Sequence, residues 1–116
     1  MINEKRKIAF IVQSLELGGA QRVITTLANN LISSYHVNII TYINTEPFYE
    51  LKKGIKIIPC FNDMKPSLGP IDALRSNYSL IKRINSIVKE NKFDILISFM
   101  TTSNVLATFV GKSNGI

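Results

Sequence analysis

The stretch Ile8–Leu31, IAFIVQSLELGGAQRVITTLANNL, decides how the rest of the chain is read. It opens on an unbroken apolar run, Ile8-Ala9-Phe10-Ile11-Val12. A run that short, without polar alternation, is the pattern of a strand buried on both faces. A turn over Gln13 to Leu17 leads into Gly18-Gly19, and the period then changes. Val23, Leu27 and Leu31 recur every four residues, with Ala20, Ile24 and Ala28 beside them, which predicts one apolar stripe of a helix. Strand, glycine turn and helix together form the opening unit of an open α/β sheet.

Such a unit does its chemistry at the turn. The first N–H groups of the helix have no partner inside it, and the helix dipole adds partial positive charge there. Glycines at that point admit two readings: they make the tight turn, or they let an anionic or polyhydroxyl ligand approach the N–H groups closely. Two familiar alternatives fail on spacing. A dinucleotide fingerprint needs G-x-G-x-x-G and an acidic residue ending the second strand. Here the glycines are adjacent, Gln21 stands where the last glycine is needed, and the second strand ends Tyr42-Ile43-Asn44. Gly111-Lys112-Ser113 suggests a P-loop, but the motif's first glycine falls on Leu106, in a helical context. The first strand also ends in Gln13-Ser14, without a phosphate-accepting aspartate.

Working outward, His36–Tyr42 reads as a second strand and Asn44–Lys53 as a polar connection with a helical turn at Phe48–Leu51. After Gly54, Ile55–Cys60 is a third strand, whose Lys56 and Pro59 suit a sheet edge. Phe61–Pro70, with Pro66, Gly69 and Pro70, reads as the longest and most mobile loop. Ile71–Asn91 is a long helix, with Leu74, Tyr78, Ile81, Ile84, Ile87 and Val88 on its apolar side and Arg75, Lys82, Arg83 and Lys89 opposite. Phe93–Phe99 is a fourth strand and Thr102–Val110 a further helix. This order leads to a Rossmann-like three-layer α/β sandwich with a parallel sheet in the order 3-2-1-4.

Residues 1–116 hold a single domain's length, at 46% hydrophobic and 19% charged residues, an ordinary globular composition. One cysteine, Cys60, excludes an internal disulfide, suits a reducing cytoplasm and reads as apolar filler. Neither a metal site nor any other cofactor is indicated, and the apolar run after the basic start is too short for a signal core. The lone histidine, His36, falls at the strand's beginning, the end of the sheet away from any ligand crevice. The net charge is +6, and residues 52–92, with nine Lys/Arg against three Asp/Glu, hold all of the excess. A basic side of that kind is either a solvated face or a surface for anionic lipid headgroups or an anionic acceptor. With few aromatics and no recognition motif, nucleic acid is not expected.

Gly18-Gly19-Ala20-Gln21-Arg22, following the first strand, resembles the N-terminal turn of family-4 glycosyltransferases of the GT-B fold. Phe93-Asp94-Ile95-Leu96-Ile97-Ser98-Phe99, followed by Met100-Thr101-Thr102-Ser103-Asn104-Val105-Leu106-Ala107, is similar to a second segment in members that build bacterial surface polysaccharides. The resemblance implies the leading part of the acceptor-side domain of a hexosyltransferase. The donor-binding C-terminal domain of such enzymes lies beyond these 116 residues. It further implies a UDP- or GDP-linked sugar donor, a glycan or lipid-linked acceptor, and a place in the cytoplasm at the inner face of the membrane. Residues 52–92 would supply the peripheral membrane contact.

In an open α/β sheet the crevice forms where the strand order reverses, here between the first and fourth strands. The loops Ser14–Gln21 and Met100–Asn104 would line it. Gly18, Gly19, Gln21 and Arg22 are the expected donor-side contacts, with Arg22 open also to a structural ion pair. Ser98, Thr101, Thr102, Ser103 and Asn104 carry hydroxyls and an amide suited to the hydroxyls of an acceptor sugar, although Thr102 or Ser103 equally suits a helix cap. No residue here has the partner that a general base or nucleophile needs. A different class of function stays open: a non-catalytic Rossmann-like binding or assembly module that pairs with a separate donor-binding chain.

Overall fold

The computed structural model describes residues 5–62, 69–98, 111–112 and 114–116. Its elements run β1 (Lys7–Val12), α1 (Gly19–Leu31), β2 (His36–Ile43), β3 (Lys56–Phe61), α2 (Pro70–Asn91) and β4 (Ile95–Ser98). All strand pairs are parallel, and the sheet order is β3-β2-β1-β4. This is the expected Rossmann-like arrangement. Pro59 lies on the edge strand β3, in register with Thr41, where a missing ladder N–H is tolerated.

The central strand explains the layering. Its side chains alternate between two faces, and both faces are buried, so its sequence has no polar alternation. Ala9 and Ile11 join Ile40, Tyr42, Cys60 and the α2 residues Leu80, Ile84, Ile87 and Val88 in one core. Ile8, Phe10 and Val12 join Leu15, Val37, Ile39 and the α1 residues Ile24 and Ala28 in the other. The helices therefore cover opposite faces of the sheet.

Helix faces differ from the expected stripes. In α1 the buried residues are Ile24, Thr25 and Ala28, while Val23 and Leu27 are 45% and 38% exposed. A repeat of four residues outruns the helical period of 3.6, so the 23–27–31 row drifts away from the sheet. Thr25 is tolerated inside because its hydroxyl donates to the Gln21 carbonyl at 2.8 Å. In α2, Leu80 is buried, whereas Tyr78, expected on the apolar side, is 67% exposed. The Leu74 side chain lies outside the described residues. The expected basic face holds, with Arg75, Lys82, Arg83 and Lys89 all exposed.

Two further expectations meet the structure differently. Phe48–Leu51 forms no helical turn, because its polar backbone groups are engaged elsewhere: the Phe48 N–H by the Leu15 carbonyl and the Glu50 carbonyl by the Asn29 amide, both at 2.9 Å. Most of the expected mobile loop, residues 63–68, and the helix Thr102–Val110 lie outside the described residues.

At the amino edge of the sheet Lys7 joins distant segments. Its N–H donates to Asp94 Oδ2 at 2.8 Å, and the Asp94 N–H donates to the Lys7 carbonyl at 2.9 Å. The Lys7 ammonium donates to the Asn91 carbonyl in the last turn of α2 and lies 5.4 Å from the centre of the Phe93 ring. His36 is exposed at this edge, away from the crevice, as its position in sequence predicts.

Candidate functional site: the glycine turn at the carboxyl edge of the sheet

The turn from β1 into α1 is built by residues that sink into the core before the chain re-emerges. Ser14 and Leu15, expected along the crevice, are buried, Leu15 in the core beneath α1. Gln13, Glu16, Leu17, Gly19 and Arg22 face solvent. Gly18 caps α1 with no side-chain hydrogen bond, and the first turn carries no acidic residue. The helix therefore begins with no acidic side chain in its first turn to offset its dipole.

The two glycines have different reasons. Gly18 has an extended backbone, φ 170°, which any residue adopts. A Cβ there would meet Gln21 Oε1 at 2.2 Å, because the Gln21 side chain folds back over the cap. Gln21 occupies the third helical position, from which a side chain naturally reaches the N-cap, so it covers Gly18 instead of projecting away from it. A Cβ at Gly19 would have nothing within 4 Å. Among the described residues, no contact requires a glycine at Gly19, and the space beside it is free. Arg22 is exposed, and its N–H makes the first helical bond, to the Gly18 carbonyl at 3.0 Å.

A wall not expected from the sequence comes from the loop after β2. The Tyr42 N–H donates to the Gln13 carbonyl at 3.1 Å, which carries the β1–β2 pairing into the turn. The Phe48 N–H donates to the Leu15 carbonyl at 2.9 Å, and the Tyr49 hydroxyl donates to the Gly18 carbonyl at 3.4 Å. Asn29 of α1 ties down the far side of the loop, its amide donating to the Glu50 carbonyl at 2.9 Å and its Oδ1 accepting from the Lys52 N–H at 2.7 Å. The glycine turn is thereby braced by a segment thirty residues downstream, as the separation of Leu15 and Thr45 illustrates. No periodic signal marks these residues. The legible hint is Asn29, a two-way hydrogen-bonding side chain in mid-helix.

On the other side of β1, Ser98 ends β4 in register with Ile11, half-buried at the carboxyl edge. Gly18, Gly19, Gln21 and Arg22 are thus brought together, and Ser98 stands on the adjoining strand. Thr101, Thr102, Ser103 and Asn104 lie outside the described residues.

The site's chemistry is that of binding: backbone N–H donors at a helix start, a side-chain amide and a guanidinium. Cys60 lies in the core behind the sheet, where burial pushes its thiol up to about 11, the nearby Arg83 charge opposing only in part. It is a packed, protonated thiol rather than a nucleophile. Among the described residues, no group of His, Cys, Asp and Glu has the arrangement to hold a metal ion. No helix among them is long and apolar enough to cross a membrane.

The fold and this turn define a Rossmann-like α/β unit with a glycine-led helix start beside the strand-order reversal. No family model matches the chain. Over 99 residues, 85% of its length, it is 33% identical to a curated protein of Campylobacter jejuni subsp. jejuni serotype O:2. That protein is the GalNAc-α-(1→4)-GalNAc-α-(1→3)-diNAcBac-PP-undecaprenol α-1,4-N-acetyl-D-galactosaminyltransferase. The chain spans 27% of that relative's length. Its likeness is thus to a segment of a glycosyltransferase.

Proposed function

We propose that this chain is the acceptor-side, N-terminal part of a nucleotide-sugar-dependent glycosyltransferase of the GT-B fold. The transferase extends a lipid-linked glycan at the cytoplasmic face of the membrane, in surface polysaccharide biosynthesis. The observation that carries the proposal is the 33% identity over 99 residues to a transferase whose acceptor is an undecaprenol-linked oligosaccharide. The free space beside Gly19 at the start of α1 supports it, since a site made of backbone donors suits a sugar diphosphate or sugar hydroxyls and needs no base of its own.

In this reading Gly18, Gly19, Gln21 and Arg22 face the donor diphosphate, or a hydroxyl of the acceptor. Ser98 and the segment Thr101–Asn104 hold the acceptor sugar. A second, donor-binding domain supplies the UDP- or GDP-sugar pocket and most of the diphosphate stabilisation. The exposed Lys52, Lys53, Lys56, Lys82 and Lys89 belong to the basic half of the sequence and draw the protein toward anionic headgroups.

The test is turnover by the full protein that carries this chain. It is incubated with UDP- and GDP-linked sugars, with and without membrane extract as acceptor source, and nucleotide release is followed. Acceptor-dependent release that is lost in Gly19→Val or Asn104→Ala, with the fold intact by circular dichroism, is the expected result. Neither turnover nor nucleotide-sugar binding would remove the transferase reading in favour of a binding or assembly module.

A further inference from the structure

Phe48 presents a large apolar ring to solvent, 62% exposed, from a loop whose backbone is held on both sides. Its own N–H is bonded to the Leu15 carbonyl, and Asn29 holds Glu50 and Lys52. The ring meets Tyr49 edge-on, with 5.1 Å between centroids and 81° between planes. A T-shaped contact leaves at least one face of Phe48 uncovered by its neighbour. Tyr49 in turn reaches the Gly18 carbonyl, so the ring and the glycine turn are two contacts apart. Leu17, 68% exposed, precedes the same turn.

We infer that Phe48 is a stacking platform for a pyranose ring bound against the Gly18–Gly19 turn. The inference rests on the transferase reading and adds a subsite to it. A pyranose combines an apolar C–H face with a rim of hydroxyls. The negative face of an aromatic ring attracts polarised C–H groups, and nearby N–H, amide and guanidinium donors engage the rim. The loop offers an exposed Phe48 ring, and its neighbour Tyr49 is bonded to the Gly18 carbonyl, at the start of the helix that carries Gln21 and Arg22. A lipid chain would use the apolar ring but would find no use for the donors at the start of α1. The rigid backbone also removes the ordering cost that a mobile aromatic would incur on binding.

The test compares the full protein with its Phe48→Ala and Phe48→Trp variants. The probes are the methyl α-glycoside of N-acetylgalactosamine, UDP-N-acetylgalactosamine, and phosphatidylglycerol vesicles. Residues 1–116 contain no tryptophan, so the emission that Phe48→Trp adds over the parent protein reports stacking at this position. Expected is a loss of about tenfold in affinity for a sugar probe in Phe48→Ala, with binding and an emission change in Phe48→Trp. Loss toward the glycoside assigns the platform to the acceptor sugar, and loss toward the nucleotide sugar alone assigns it to the donor sugar. Unchanged affinity for both in Phe48→Ala, with normal turnover, overturns the platform and leaves the transferase reading standing. A loss confined to vesicle binding also overturns it, in favour of a lipid contact. Absence of all sugar binding and turnover in the unaltered protein removes the transferase reading itself.

Discussion

Replacing Gly19 separates what the glycine turn does for the fold from what it does for a ligand. Gly19 is the first residue of α1, is exposed, and has an empty volume where a Cβ would stand. Gly19→Ala removes conformational freedom from the unfolded chain and adds no clash, so stability rises by about 0.4–1 kcal/mol. Gly19→Val gains less, because a β-branched side chain loses rotamers against the helix, and stays within about 0.5 kcal/mol of the parent. For a domain of this size that is a shift of no more than about 4 °C in Tm. A ligand lying on the α1 amides would meet the new side chain and lose one charge-assisted hydrogen bond, worth about 1.5–3 kcal/mol. Binding of a nucleotide sugar should therefore weaken roughly tenfold to hundredfold in Gly19→Val, and by less in Gly19→Ala. Urea titration and calorimetric titration on the same preparations make the comparison. A Gly19→Val protein that unfolds would show the glycine to be a structural need. One that binds and turns over as before would show that no ligand approaches this turn.

Asn29→Ala removes both bonds that hold the loop after β2. About 1–2 kcal/mol of stability is expected to go, with faster amide exchange confined to residues 44–52. Gly54 sits at φ 102°, and an added Cβ would make only ordinary contacts with Ile32 at 3.6 and 3.8 Å. Gly54→Ala should accordingly cost about 1–2 kcal/mol from backbone strain alone, measured by urea unfolding. Lys92 ends α2 in the left-handed conformation at φ 52°, so Lys92→Gly is expected to stabilise by about 0.5–1 kcal/mol. The Cys60 thiol, held at about 11 by burial, is above its unfolded value of 9.0. Stability from keeping it protonated is complete below pH 9 and lost as pH rises toward 11, and alkylation by iodoacetamide at about pH 8 should track unfolding rather than local exposure.

Where the sequence was informative, a single physical rule governed the residues. Ile8–Val12 is apolar throughout because β1 is paired on both sides and covered on both faces, and that set the centre of the sheet. Pro59 located an edge because it has no N–H to give. The helix faces were read less well. Four-residue spacing placed Val23 and Leu27 inside, yet the sheet selects the arc through Ile24 and Ala28, and it admits Thr25 because the helix backbone satisfies its hydroxyl. The candidate site was legible in its glycine turn and hidden in its brace. Asn29, Phe48 and Tyr49 act across long separations in the chain, through hydrogen bonds that no local period records. Gln21 has the chemistry of a ligand contact, yet its side chain lies over the Gly18 cap, a pairing that the Gly-Gly-x-Gln spacing does contain.

The central place of β1 has a consequence for the order in which the protein can assemble. The strand is made before either neighbour, and the second of these is residues 95–98, with the Lys7–Asp94 bonds spanning 87 positions. At about 5–20 residues per second, the ribosome leaves one edge of β1 without its partner for on the order of ten seconds. During that interval one of the most apolar segments of the chain exposes a free ladder edge, the situation in which strands recruit the wrong partner. Closing so long a loop also slows the final pairing relative to β1–β2, which needs only the α1 crossover. Yield of the protein should thus depend on synthesis rate and on chaperones that hold nascent strands, more than its equilibrium stability would suggest.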